Sequence, residues 1–194
     1  MPTAPGRGLI VVISGPSGVG KGSIHAGLHG LLADLVTSVS VTTRAPRPGE
    51  VDGVAYRFVD AAGFDAMLER GELLEWAEYA GNRYGTPRGP VDGIVAAGQV
   101  ALLEVEVQGA LQVRSARPDA LLVLLVPPSL EELERRLRDR GTEDEPTIQA
   151  RLEVARSELG ARDRFDHVVV NDDLVRATEE VARLIDRARN GLGA

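Results

Sequence analysis

The 194-residue chain contains no cysteine, which excludes a disulfide framework, a thiolate nucleophile and Cys-ligated zinc. Long apolar runs are missing as well. The longest, from Ala120 to Val126, falls far short of the ~20 residues that cross a bilayer. The run from Leu9 to Ser14 lacks the length and cleavage pattern of a signal peptide, so a cytoplasmic protein without membrane contact is expected. Net positive charge is also absent. The formal charge is -7, whereas a protein that coats nucleic acid turns a basic face to the phosphates. No nucleic-acid partner is expected, and any anionic ligand must be held by local arginines. Lysine is nearly missing, Lys21 being the only one. Apolar residues, by contrast, make up 43% of the chain, enough to bury the core of one domain with inserted subregions.

Leu9 to Ser14 is a continuous apolar run followed by glycines, the pattern of a buried parallel strand, and residues 24–35 (IHAGLHGLLADL) have helical spacing. Val39 to Thr43 reads as a strand leading into a turn-rich link, RAPRPGEVDG. Two short β-rich runs, Tyr56 to Val59 and Leu73 to Tyr79, flank a small capped helix within DAAGFDAMLERG. Val100 to Val107 and Ala120 to Val126 read as further buried strands, joined by a helix over Gln108 to Ala116. After Pro127 and Pro128, Ser129 and Glu132 stand at capping-box spacing and start a charged helix to Gly141. An acidic link, Glu143 to Glu145, precedes a helix from Thr147 to Leu159. The strand HVVVN and a helix from Asp172 to Arg189 close the chain, and residues 1–7 are expected to be disordered.

Residues 15–23 read GPSGVGKGS. Gly15, Gly20 and Lys21 match G-x-x-x-x-G-K between a buried strand and a helix start, which makes Gly15, Pro16, Ser17, Gly18, Val19, Gly20, Lys21, Gly22 and Ser23 a candidate ATP-phosphate loop. Glycines let the main chain wrap phosphate oxygens, so that N–H groups and the helix dipole face the anion. A lysine adds a compact point charge there. Arginine, planar and forked, fits poorly inside a ring of amides, which is a physical reason for an arginine-rich chain to keep its one lysine at this spot. Gly22 stands where such loops usually place a metal-binding hydroxyl, which moves that hydroxyl to Ser23.

This loop, followed in order by SVSVTTRAPRPGEVDGVAY, LLEWAEYAGNRYGTP, LEVEVQG, RLRDRGTEDE and VVVND, makes residues 8 to 173 resemble the guanylate kinase family. The arginine and Tyr-Gly-Thr segments are specific to that family; the loop is shared by many. The resemblance implies an α/β P-loop nucleoside monophosphate kinase fold. Its parts would be a parallel-sheet core (8–38, 93–127 and 159–194), an inserted GMP-binding lobe (39–92) and a helical lid (128–158). It also implies transfer of the γ-phosphoryl group of ATP to GMP with Mg2+, giving ADP and GDP, so ATP and GMP are the expected partners. Two alternatives stay open. One is a related kinase for another phosphorylated acceptor, which would not need Glu75 or Thr86; the other is a non-catalytic guanylate-kinase-like module that binds proteins.

Arg44 and Arg47 flank a turn beside Tyr56, three groups able to grip a phosphate through guanidinium forks and a phenol. The resemblance adds Tyr84 and assigns all four to the GMP phosphate. Strand alternation puts Glu75 on one face with Leu73, Ala77 and Tyr79, a partly apolar wall on which a carboxylate needs a donor. Guanine offers N1–H and its 2-amino group side by side, whereas adenine presents a lone pair at N1. The resemblance assigns Glu75, Ser40, Thr86 and Glu106 to the guanine.

Glu104 and Glu106 read as one face of a strand near its C-terminal end, where ligands of open α/β sheets bind, and two such carboxylates in a sheet interior are costly unless a cation or a base donor neutralises them. A Mg2+ shell near Glu104 is expected, with the ion held by ATP oxygens and waters and the carboxylates further out. The resemblance makes the charged hairpin a lid whose Arg136, Arg140 and Arg151 act with Lys21 on the charge of the transferring group. Spacing alone pairs Glu131 with Arg135, Glu132 with Arg136 and Glu134 with Arg138 on a solvated helix. By resemblance Asn171 belongs near the adenine. His25 and His29 share i,i+4 spacing, but no H-E-x-x-H motif or third ligand accompanies them, so they are expected as helix surface.

Overall fold

The structure, a computed structural model, describes residues 7–79, 81–139, 141 and 144–191. β1 (Leu9–Ser14) is buried at every residue because helices cover both faces of its sheet, which is why its sequence runs apolar without alternation. A glycine loop leads into α1 (Lys21–Leu31), and the chain continues through β2 (Leu35–Thr37), β3 (Val41–Thr42), β4 (Arg57–Phe58) and α2 (Ala61–Glu69). There follow β5 (Leu73–Tyr79), β6 (Asn82–Pro87), α3 (Arg88–Ala96), β7 (Val100–Glu104), α4 (Val107–Ala116) and β8 (Leu121–Val126). The last elements are α5 (Leu130–Asp139), α6 (Glu145–Leu159), β9 (His167–Val170) and α7 (Leu174–Arg189).

Five strands form a parallel sheet in the order β2-β7-β1-β8-β9. The register runs from Leu9 beside Val100 to Ile13 beside Glu104, so Glu104 ends its strand next to the start of the glycine loop. A second sheet, β4-β3-β6-β5, is antiparallel except for the β3–β4 pair. Alternation along β1 feeds two cores. Val11 and Ile13 join Ile24 and Leu28 of α1 and Val181 and Ile185 of α7 on one face, and Ile10 and Val12 join Val91, Val107 and Ala110 on the other. Two satellite cores stand apart: Val41, Phe64, Met67 and Leu73 in the second sheet with α2, and Leu133, Leu137, Ile148, Leu152 and Ala155 between α5 and α6. No described helix is long and apolar enough to cross a membrane.

Four local expectations change. The helix read over residues 24–35 stops at Leu31, and Leu35 opens β2, an edge strand beside β7 too short to show a period of its own. β6 and α3 went unread because Gly85 and Pro87 interrupt the one and Gly89, Pro90 and Gly93 the other. The strand from Val100 ends at Glu104, not Val107. Val105 N–H still donates to the Ile13 carbonyl at 3.3 Å, but Glu106 is already the N-cap of α4, and both carboxylates are exposed, not in a sheet interior. On α5, Glu132–Arg136 and Glu134–Arg138 pair at 2.9 and 2.7 Å, whereas Arg135 turns to Glu132 and Asp139 instead of Glu131. Ser129 Oγ accepts the Glu132 N–H at 3.2 Å, as capping spacing predicts. Of the segment expected to be disordered, Arg7 has a carbonyl that accepts from Arg189 Nε at 3.2 Å. Residues 1–6, and Glu143 of the acidic link, lie outside the described residues.

Candidate active site

Between β1 and α1 the chain turns through three glycines of positive φ, Gly15 (142°), Gly18 (90°) and Gly20 (100°). A side chain at Gly15 would overlap the Leu125 carbonyl oxygen, and one at Gly18 would press on Leu137 and Leu133. The loop is thus seated closely against β8 and α5, which only glycine allows. Lys21 folds back over it, Nζ donating to the carbonyls of Gly15 at 2.5 Å and Pro16 at 3.3 Å. Asn171 Nδ2 donates to the Val19 carbonyl at 2.7 Å, and the Asn171 carbonyl accepts from Arg136 Nη2 at 3.0 Å. From α6, Arg151 Nη1 donates to Ser17 Oγ. Arg140 lies outside the described residues. A cavity of about 460 Å³ opens beside the loop, lined by Gly18, Gly20, Ser23, Arg135, Arg136 and Asn171 among others.

A second cavity, about 270 Å³, is lined by Thr37, Ser38, Ser40, Tyr56, Thr86 and Glu104 among others. Antiparallel pairing sets Glu75 opposite Thr86, whose Oγ1 donates to Glu75 Oε1 at 2.6 Å. Glu75 is only 6% exposed. Burial pushes its carboxyl above the usual range; the Thr86 hydroxyl and N–H pull the other way, and the charge of Glu106 adds to the rise. A Cβ on Gly109, in the first turn of α4, would stand 2.7 Å from Glu75 Oε2. The carboxylate therefore rests directly on that helix start.

Arg44, Tyr56 and Tyr84 also come together. The Arg44 guanidinium lies 5.5 Å from the centre of the Tyr56 ring, which meets the Tyr84 ring edge-on at 6.0 Å. Its Nη2 donates to both oxygens of Glu50, at 2.8 and 3.0 Å, and Glu50 also accepts the Arg47 N–H at 2.7 Å. Arg44 first, then that N–H, hold the Glu50 carboxyl below the usual range. Sequence reasoning missed Glu50; the signal was a carboxylate closing the turn RAPRPGE, three residues after Arg47. Arg47 is exposed. His25 departs from the expectation of helix surface: it is half-buried, with Nδ1 3.4 Å from Glu104 Oε2. A third cavity, about 300 Å³, opens at the N-terminal ends of β1 and β8 and holds none of the predicted residues.

Among the described residues no three His, Cys, Asp or Glu side chains group to hold a metal ion. An added Cβ at Gly22 meets nothing within 4 Å, so space does not forbid a hydroxyl there. The exposed Glu104 carboxylate is an oxygen donor compatible with a divalent cation that keeps part of its water shell.

With its phosphate loop on the central strand of a parallel sheet, between a helical hairpin and a second small sheet, the molecule is by fold a P-loop nucleoside monophosphate kinase. A family model described as Guanylate kinase matches residues 7–188. The guanylate kinase of Thermobifida fusca (strain YX) is 54% identical over 190 residues, covering 95% of this chain and 97% of that one. That of Synechococcus sp. (strain JA-3-3Ab) is 53% identical over 187 residues, covering 96% and 86%. The crystal structure of guanylate kinase from Anaplasma phagocytophilum aligns with a TM-score of 0.75 at 32% identity, covering 95% of this chain and 87% of that one. The chain belongs to the guanylate kinase family.

Proposed function

We propose that this enzyme transfers the γ-phosphoryl group of ATP, supplied with Mg2+, to GMP, giving ADP and GDP, and that it does so on free nucleotides in the cytoplasm. The working parts are a core of 8–38, 93–127 and 159–194, a GMP lobe of 39–92 and a lid of 128–158; the separate apolar clusters of α5 with α6 and of the second sheet with α2 support this division, although Leu74 and Val91 of the lobe segment pack into the main core. Guanine N1–H and its amino group donate to Glu75 and Glu106, with Thr86 and Ser40 fixing the plane of the base. Arg44, Arg47, Tyr56 and Tyr84 take the GMP phosphate, and to do so Arg44 shares or gives up its fork on Glu50.

On the donor side the loop N–H groups and Lys21 hold the β- and γ-phosphates, Ser23 adds a hydroxyl, and Asn171 borders the adenine. A GMP phosphate oxygen attacks the γ-phosphorus as the bond to the β,γ-bridging oxygen breaks, so no protein nucleophile is needed. Arg136, Arg140 and Arg151 face the charge on the transferring group, and proximity with electrostatics supplies the acceleration. When bound, Mg2+ neutralises the β,γ-phosphate charge; Glu104 is the side chain suited to meet it through water. Lid closure on both nucleotides excludes water and limits idle ATP hydrolysis.

The single observation behind this reading is the buried Glu75 carboxylate held by Thr86, itself a wall residue of the second cavity. A sugar phosphate has no paired N–H donors for it, and adenine offers a lone pair in the same place. The test is the acceptor profile with GMP, AMP and ribose phosphates in a coupled ADP assay. GMP is expected to exceed AMP by roughly 10⁴. Comparable use of AMP would overturn the base-reading role, and no ADP formed with GMP would favour the non-catalytic module.

A further inference from the structure

Two histidines on α1 take no part in the reaction above, yet they are not idle surface. The Nε2 atoms of His25 and His29 converge to 3.3 Å. Both also meet Thr37 Oγ1 on β2, at 2.6 Å from His25 and 2.8 Å from His29. The second ring nitrogen of His25, Nδ1, faces Glu104 Oε2 at 3.4 Å. A carboxylate accepts only, so it favours the tautomer with the ring proton on Nδ1, in which His25 Nε2 accepts from the Thr37 hydroxyl with His29 Nε2 beside it.

Three features of this cluster suit a cation better than they suit a core. Two nitrogens bound at about 2.0–2.1 Å to one tetrahedral zinc stand about 3.4 Å apart, close to the 3.3 Å separation seen here. A carboxylate on the far nitrogen is the arrangement by which metal-ligating imidazoles are oriented and made more basic. Access is also open, because His29 is exposed and His25 only half-buried. Imidazole nitrogen suits zinc, nickel or copper and not Mg2+, which takes oxygen ligands.

We propose that His25 and His29 form a two-imidazole chelate for a borderline divalent transition-metal ion of the Zn2+ class, with water filling the remaining positions; the Thr37 hydroxyl, hydrogen-bonded to both Nε2 atoms in the ion-free protein, gives way to the ion. Glu104 orients His25 from outside that shell. The site is separate from the nucleotide-borne Mg2+ and does not depend on the identity of the acceptor. It nevertheless shares a wall with the acceptor cavity, which His25, Thr37 and Glu104 all line.

The test uses the full chain without an affinity tag and with no nucleotide, titrated with Zn2+ by calorimetry and by histidine ring NMR. The chain has three histidines, so His167 at the start of β9 is an internal control. One Zn2+ per chain is expected, with the His25 and His29 ring signals moving and those of His167 still. His29→Ala, an exposed change that leaves helix and circular dichroism intact, should weaken Zn2+ binding at least about tenfold, as should His25→Ala. Unaltered affinity in both variants, movement of His167 alone, no Zn2+ uptake, or equal ring shifts with Mg2+ would each overturn the proposal.

Discussion

Glu75→Gln is the change whose two effects carry opposite signs. Glutamine keeps the shape and still accepts from Thr86 Oγ1, but it loses the charge and replaces one acceptor with a donor. Hydrogen bonds to a charged group contribute about 1.5–3 kcal/mol each. Losing one outright and the charge assistance of the other costs the GMP complex about 2–4 kcal/mol, roughly 30- to 1,000-fold in KM for GMP, with KM for ATP nearly constant.

The free protein should respond the other way. Burial raises the folded-state pKa of Glu75, so the folded chain binds more protons than the unfolded one. Stability therefore falls as pH climbs from the unfolded value of about 4.3 through the folded one, and the penalty persists at neutral pH. Glutamine carries no such penalty. The variant should melt no lower than the wild type at about pH 7.5, and any advantage should vanish below about pH 4. Steady-state kinetics with each nucleotide varied in turn, plus melts at the two pH values, decide the matter. Equal losses on GMP and ATP, or a lower melting temperature at neutral pH, would mean that the carboxylate serves the fold and not the base.

Arg136→Ala should lower turnover by roughly 10²-fold or more while moving either Michaelis constant little, because its charge matters most in transfer; a pure binding defect in the same assay would contradict that role. Gly109→Ala adds up to about 1 kcal/mol of helix propensity while its Cβ, 2.7 Å from Glu75 Oε2, displaces the carboxylate. KM for GMP should rise with no loss in thermal stability, and an unchanged KM would refute the close approach. Glu132 and Glu145 are held down to about 2 by arginines, chiefly Arg135 and Arg138 respectively. Their folded pKa values are depressed, so their support is present above the unfolded value of about 4.3 and disappears as pH falls through about 2. Amide exchange in α5 and α6 should stay protected at about pH 4 and weaken near pH 2; protection lost already at pH 4 would show that these pairs do not steady the hairpin.

The strand, glycine loop and helix that begin the chain were readable because they combine an unbroken apolar run with a lysine at fixed spacing. Glu75 was picked out as a carboxylate in need of a donor, but not by the face predicted: an irregularity between Leu73 and Glu75 breaks the alternation, so that Leu73 packs with Phe64 in the second sheet's core while Glu75 lies against Gly109 of α4. Glu106 was not placed correctly, because the Glu-Val-Glu alternation continues past the point where α4 takes over, and an N-cap glutamate looks like a strand residue in sequence. The partners of the site residues lay further from view. Arg44 and Arg47 read as a phosphate grip, while the carboxylate that closes their own turn, Glu50, went unread as the group that occupies the Arg44 fork. His25 reaches Glu104 across 79 positions of chain, and a contact of that kind leaves no periodic trace. Arg151 meeting Ser17 is of the same kind.

The folding of the one lysine onto its own loop has a practical corollary. An amine-acylating reagent can mark this polypeptide in only two places, the α-amino group and Lys21. Mass spectrometry of the acylated protein then becomes a gauge of loop occupancy: the second mark is added at a rate set by how freely that ammonium leaves the Gly15 carbonyl, and a bound triphosphate shields it without any reporter dye.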